Sequence, residues 1–348
     1  MTLEELLETA SATEREERMK HGLPPAHVLD IAEFPFKFAA PLFKQAFESI
    51  AHWVAAMPAE PRVHLFSACA NVLSGDYRAA DAALEKLRAL TKSPLALMQF
   101  GGPVARQPIQ LPPVTGTWPR EAAFFVSCDN QYFETYGIPL LRSLAAASPG
   151  CPIHVHIIGE PVVLPDVALK ITTTLEPQPV NFRLPDYYGA ARLVRFAEGL
   201  EASQVPLVMI DADALVTANP RHLLAQCNDV TLRIRAGRIE PWHHFSACYI
   251  GGSPACMTYF RRVADIVLRT IDASFWGLDQ YALFAAYVQL SPRLNLIGPD
   301  IAGVDAEIPG VFWFTAGNEK KNLASADSSY ARLFRSFAAH SSSCDPIP

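Results

Sequence analysis

Asp211, Ala212 and Asp213 follow directly on the apolar run 205–210. Two carboxylates one residue apart can both reach a hard divalent cation, or one can hold the cation while the other takes a ribose hydroxyl or a cation-bound water. The bare spacing is common and also suits a solvated turn. Position separates these readings, because carboxylates that end an apolar strand have no core to serve and stand where α/β sheets bind ligands. Other candidates are Ser127, Asp129 and Tyr132 after the apolar run 122–126, Arg192 in a helical stretch, Ser246 in an aromatic run, the Asp279-Gln280 pair, and Lys320. A Tyr face can stack on a planar ring while short polar groups meet its edge, although Tyr132 also suits a half-buried loop aromatic. A guanidinium offers a fork of donors suited to oxyanions. Asp279, heading a helical run, has an ordinary reading as an N-cap.

The elements that must hold these residues are legible from periodicity. Residues 122–127 are apolar and bounded, as a buried strand requires. A helix over 136–147 ends at Pro149-Gly150, strands follow at 153–158 and 180–184, a helix at 190–200 and a strand at 205–210. Strand, helix and strand at these lengths predict a mostly parallel sheet with both faces covered. Upstream, Phe43, Phe47, Ile50, Val54 and Met57, then Leu65, Ala68 and Val72, then Ala80, Ala83, Leu84 and Leu87 recur at helical spacing. The last two helices are separated by Ser74-Gly75-Asp76-Tyr77 and closed by Pro94. This resembles one tetratricopeptide hairpin, a unit that elsewhere forms protein-binding surfaces; an ordinary helical hairpin is the competing reading. Between the two textures, six prolines and three glycines in residues 93–120 read as a connector. The division expected is a helical region over 1–96, a linker over 97–120, an α/β domain over 121–323 and a tail over 324–348.

Composition bounds the rest. Half the chain of 348 residues is hydrophobic and 18% is charged, enough apolar material for a large core. Lys and Arg number 29 against 35 Asp and Glu, so the balance of −6 argues against a nucleic-acid partner. Seven scattered cysteines without C-x-x-C spacing indicate neither a disulfide framework nor a zinc knuckle, and a reducing cytoplasm is the expected location. The acidic N-terminus lacks the pattern of a secretory signal, and no run approaches the roughly 18 apolar residues of a membrane span. No G-x-S-x-G, G-x-G-x-x-G or P-loop pattern occurs.

Taken in order, the stretch from about 122 to 321 resembles the GT-A class of nucleotide-sugar glycosyltransferases, and within it glycosyltransferase family 8. The resemblance implies a GT-A type, Rossmann-like sheet flanked by helices, preceded here by the small all-α hairpin region. It implies that Ser127, Asp129 and Tyr132 cradle uracil and ribose. It further implies that Tyr187-Tyr188-Gly189-Ala190-Ala191-Arg192-Leu193 presents Arg192 to diphosphate and sugar, and that Asp211 and Asp213 hold Mn²⁺ or Mg²⁺ beside Ala212. Asp279 and Gln280 would lie on the floor of the sugar pocket near the reacting carbon. Ser246 stands where the family has Asn, and Cys248 where it has Gly. In Phe314-Thr315-Ala316-Gly317-Asn318-Glu319-Lys320, Gly317 and Lys320 match a His-x-x-Gly-x-x-Lys element whose Lys takes the pyrophosphate. Phe314 falls where the third metal ligand is a His, which leaves His243, His244 and His340 as substitutes.

The expected activity is transfer of a sugar from a UDP-sugar to an acceptor hydroxyl on a glycan, lipid or protein, with retention implied by resemblance and the N-terminal helices available to a protein partner. Two alternatives stand beside it. One is a metal-dependent nucleotidyltransferase, distinguished by pyrophosphate release from UTP. The other is a non-catalytic partner-binding protein with a degenerate sugar-nucleotide site.

Overall fold

The computed structural model describes residues 54–56, 58–91, 97–102, 104–180, 182, 184–234, 241–273, 275, 277–304, 309–315, 320 and 322–339. Of the first expected helix only residues 54–56 are among them, and the tail beyond 339 lies outside them.

Helices α1 (Pro61–Leu73) and α2 (Tyr77–Thr91) form a hairpin. Gly75 turns the chain in a left-handed conformation, and the Asp76 carboxylate caps α2 by accepting from the Ala79 amide at 3.0 Å. Ala80, Ala83, Leu84 and Leu87 make the buried stripe of α2. That stripe belongs to the same apolar cluster as Met98, Phe100 and the helices of the α/β unit. The Pro/Gly-rich stretch expected as a linker is held rather than loose. Asp81 accepts from the amides of Phe100 and Gly101 at 2.7 and 3.0 Å, and Phe100 stacks on Trp242 with centroids 5.7 Å apart. Prolines deny this stretch a regular ladder, yet they do not stop its apolar side chains from being buried.

The remaining elements are β1 (Thr115–Gly116), β2 (Ala123–Asp129), α3 (Ile138–Ala147), β3 (Cys151–Ile158), β4 (Leu169–Glu176), α4 (Leu184–Ser203), β5 (Leu207–Ile210), β6 (Leu215–Val216), α5 (Arg221–Leu224), β7 (Val230–Ile234), β8 (Phe245–Gly252), α6 (Met257–Leu268), α7 (Leu278–Leu290), β9 (Leu294–Ile297), β10 (Ala302–Gly303), β11 (Phe312–Trp313) and α8 (Ser329–Ala338). The expected mixed α/β architecture is present. Eight strands run in the order β1-β4-β3-β2-β5-β8-β7-β9, with β4, β3, β2 and β5 parallel and β8 antiparallel to both its neighbours. A small sheet, β10-β11-β6, lies beside it. Alternate residues of β2 serve opposite faces: Phe125 joins α4, α6 and α7 in one core, while Phe124 and Val126 join α3 and α5 in the other.

One strand differs from expectation. The third strand is Leu169–Glu176; of the run expected as a strand over 180–184, Leu184 already opens α4 and residues 181 and 183 lie outside those described. The run Ile171-Thr172-Thr173-Thr174 is β-branched but polar, and its place depends on partners across the ladder. His154 reaches Thr172 and Thr174, each at 2.9 Å, and His156 reaches Thr174 at 2.9 Å.

The order of connections locates a site before any side chain is considered. The chain builds outward through β2, β3 and β4, then returns to place β5 on the other side of β2. The carboxyl ends of β2 and β5 therefore flank the point where strand order reverses, and ligands bind in the crevice outside such a point.

Candidate active site

Asp129 ends β2 and Asp211 follows β5, so both emerge at this crevice. Asp129 is committed to its own turn: its Oδ1 accepts from the Tyr132 amide at 2.8 Å and starts the helical turn that carries Tyr132. Tyr132 donates its hydroxyl to Asp213 Oδ2 at 3.0 Å. The Tyr136 ring lies 4.4 Å from the Tyr132 ring, and Lys320 Nζ sits over both, 4.8 and 5.5 Å from the centroids. Lys320 also forms an ion pair with Asp213 Oδ2. Burial, then Asp213 and Asp211, push the Tyr132 phenol above its ordinary range, so it remains a donor.

Arg192 links the next two carboxylates. It pairs with Asp211 Oδ1 and, at 2.9 Å, with Asp279 Oδ2, while its Nε donates to the Gly189 carbonyl at 2.9 Å. Burial works against the guanidinium charge, but Asp211 and Asp279 outweigh it and hold the pKa above the usual value. Asp279 Oδ1 accepts from the Gln280 amide at 2.8 Å near the start of α7, where Gly277 in a left-handed conformation turns the chain. Gln280 is buried beside it.

Asp213 is 3% exposed. Burial and Asp211 push its pKa up, partly offset by Lys320 and Tyr132. Its Oδ1 is buried with no hydrogen-bond partner, as is the Ser127 hydroxyl on β2. Buried polar atoms normally have partners, so groups left over at a strand-end crevice suit a ligand or a hard cation. Ala212 is in the core, and the Ser246 hydroxyl, also buried, donates to Cys248 Sγ at 3.2 Å.

The structure thus brings Tyr132, Arg192, Asp211, Asp213, Asp279 and Lys320 into one network, with Ser127 on β2, whose end adjoins it. Three placements add detail to the expectations. Tyr132 is bound up with Asp213, Tyr136 and Lys320. Arg195, one helical turn beyond Arg192, is buried and paired with Glu176 at 2.5 Å. Phe314 is a core residue, packed in the cluster of Ala212, Ala214 and Phe312. The histidine substitutes do not complete a metal set: His340 lies outside the described residues, and among those described no group of three or more His, Cys, Asp or Glu side chains is arranged to hold a metal. Trp276, Gly317 and Lys321 also lie outside them.

Two contributors escape sequence reasoning. The sequence pattern places Tyr136 at the start of a plain helix, but Phe133–Gly137 form a wider π-type turn, and the Tyr136 ring packs on Tyr132. Tyr330 of α8 donates to the Asp213 carbonyl at 2.5 Å from 117 residues away. No local signal marks it.

No family model and no curated protein matches the chain. Among solved structures it is similar to the bifunctional glycosyltransferase WbbM, with TM-score 0.48 and 12% identity over 65% of this chain and 51% of that one. It is also similar to the galactosyltransferase LgtC solved with donor and acceptor sugar analogues, with TM-score 0.46 and 14% identity over 62% of this chain and 95% of that one. A third is the glycosyltransferase GlyE of Streptococcus pneumoniae TIGR4, with TM-score 0.47 and 10% identity over 63% of this chain and 60% of that one. The chain thus spans about half the length of WbbM.

Proposed function

We propose that the chain is a GT-A type glycosyltransferase of the family 8 kind, taking its donor as a UDP-sugar. The observation that carries this reading is the bridge made by Arg192 between Asp211 at the end of β5 and Asp279 at the start of α7. It joins the strand-end carboxylates to the Asp-Gln pair across the switch point, where a diphosphate and its sugar would meet both.

In this reading Arg192 and Lys320 turn part of their donor capacity to the diphosphate and offset the charge that develops on the leaving nucleotide. Asp279 and Gln280 orient the sugar, and an acceptor hydroxyl attacks its anomeric carbon. Ser127 meets the base edge, with Asp129 holding the turn below it, and Ser246 lies toward the sugar. Asp211 and Asp213 would hold Mn²⁺ or Mg²⁺, and the unpartnered Asp213 Oδ1 fits a hard cation. Such an ion supplies Lewis-acid stabilisation of the diphosphate leaving group. Charge supports this assignment, since three carboxylates against Arg192 and Lys320 leave the network net negative toward an anionic donor. Among the described residues no helix is long and apolar enough to cross a membrane. A protein partner on the hairpin would meet its outer face, where Glu85, Lys86, Arg88 and Leu90 are exposed.

Incubation with radiolabelled UDP-sugars and Mn²⁺ tests the proposal. Slow release of UDP without acceptor, and a raised melting temperature with donor and metal, are expected. Pyrophosphate release from UTP, or no shift with any nucleotide sugar at millimolar concentration, overturns it.

A further inference from the structure

We infer that Arg233 binds a carboxylate or phosphate carried by the acceptor, so that the acceptor is an acidic sugar; the inference rests on the sugar-transfer reading above. Strand β8 is antiparallel to both β5 and β7, so the carboxyl ends of β5 and β7 lie at the same edge of the sheet, the edge of the crevice. Arg233 stands at that end of β7, paired with Ser246 at the start of β8. Directly paired residues of neighbouring strands project to one face. The register shifts between Leu232 and Arg233, the kind of irregularity that re-aims a side chain beside a binding site. From Ser246, contacts lead back to the aspartate pair. Its hydroxyl donates to Cys248 Sγ at 3.2 Å, and the Cys248 carbonyl accepts from the Asp211 amide at 3.2 Å.

Arg233 is 9% exposed. A guanidinium buried so deeply normally faces a carboxylate, as Arg192 faces Asp211 and Asp279 and as Arg195 faces Glu176. Among the described residues no carboxylate pairs with Arg233. Its Nε donates to the Ala302 carbonyl of β10 at 2.6 Å, which leaves the terminal amino groups, the prongs that grip a carboxylate or phosphate in parallel. The charge reaches the crevice: burial pushes the Cys248 thiol up to about 11, and the charges acting on it are Arg233, then Asp211 and Arg192. Sheet order says which part of the substrate Arg233 meets. Across β2-β5-β8-β7 the site residues come as Ser127, Asp211, Ser246 and Arg233. With the base at β2, the diphosphate at β5 and the transferred sugar at β8, the next strand outward meets the acceptor.

The experiment follows UDP release by the full chain from whichever radiolabelled UDP-sugar it hydrolyses, with paired acceptors: methyl glucuronide against methyl glucoside, methyl galacturonide against methyl galactoside, and glucose 6-phosphate against glucose. In kcat/KM for the acceptor, wild type should favour the best acidic acceptor over its neutral counterpart about tenfold, the size of one charge-assisted contact. Arg233→Gln should lose that preference, and the loss should fall on the KM of the acceptor rather than that of the donor. Arg233→Gln should also melt no lower than wild type, because it removes a buried charge that has no counter-charge, whereas an arginine with a purely structural role would lower the melting temperature. If Arg233→Gln instead raises KM for UDP-glucuronate and not for UDP-glucose, the anion belongs to the donor and the acceptor assignment is wrong. If wild type shows no preference for an acidic acceptor, or Arg233→Gln keeps it, the inference is overturned and the transferase reading stands. If no UDP-sugar is hydrolysed, both fall. Should Arg233→Gln fail to fold, Arg233→Lys decides: lysine keeps the charge without the parallel prongs, and a preference equal to that of wild type overturns the assignment.

Discussion

Helix α4 carries residues of two charged networks that meet opposite fates. Toward the body of the sheet, Tyr187 and Arg195 both bind Glu176, which also accepts from or pairs with His156 at 3.2 Å, and the chain of contacts continues through Thr174 to His154. Every one of these groups has a partner. Between them on the same helix, Arg192 points to the crevice, where Asp213 Oδ1 has none. A buried polar group costs little when satisfied and much when not. The first network therefore makes structural sense with no further component, whereas the second makes sense only with one. The two are coupled through geometry: Tyr187 and Arg195 fix the helix on which Arg192 stands, so the satisfied network positions the unsatisfied one.

Substitution of one acid from each network should separate them most sharply. Asp213→Asn should reduce UDP-sugar turnover by on the order of 10³-fold, with a melting temperature near that of wild type, because Lys320 is partly exposed and can turn to solvent. Glu176→Ala should do the reverse, costing about 3–5 kcal/mol of stability by stranding Arg195 and His156 in the interior. Turnover per folded molecule should then fall much less. Calorimetry and initial rates on the two variants check this, and a large loss of stability in Asp213→Asn would break the contrast.

Arg192→Lys is the next largest effect. Lysine keeps the charge but cannot span Asp211 and Asp279 with one planar fork. A fall of about 10²-fold in kcat/KM is expected, with the melting temperature little changed. Equal activity would mean that the bridge is not used in the reaction. Below it, Lys320→Met should raise KM for the donor about tenfold, the size of one charge-assisted contact of ~1.5 kcal/mol. Steady-state kinetics at saturating Mn²⁺ would show it, and an unchanged KM would return Lys320 to a role within the free protein alone.

The two networks also differ in how far they could be read from sequence. Asp211 and Asp213 were legible because a fully apolar run stops at them, Arg192 because Leu193, Phe196, Ala197 and Leu200 mark its helix with one apolar face, and Asp279 because an Asp-Gln pair heads a helical run. Those are local signals. Glu176 and the Thr172–Thr174 ladder were not legible, since a threonine-rich stretch declares a strand only once His154 and His156 lie beside it. Tyr330 reaches Asp213 from α8, far along the chain, and Phe314, aligned by spacing alone, lies in the core. Register decides such cases, and a shift of one residue reverses the face.

The smallest effect probes the satisfied network through pH. Burial pushes the pKa of His154 down to about 3, with His156 a lesser cause, against 6.5 for a free imidazole. In the unfolded chain the ring takes up a proton as pH falls through 6.5, while in the folded chain it stays neutral until about 3. The unfolded state then binds more protons, so stability falls with pH across that window, by about 1.4 kcal/mol per unit for one such group. His154→Gln should be less stable at neutral pH, because its Thr172 and Thr174 contacts are altered, but its stability should fall less steeply between pH 6 and pH 5. Asp213→Asn should leave that slope as it is in wild type. Urea unfolding at the two pH values measures the difference directly. An unchanged slope in His154→Gln would mean that His154 carries its proton in the folded chain, and the ladder would then hold a charge as the crevice does.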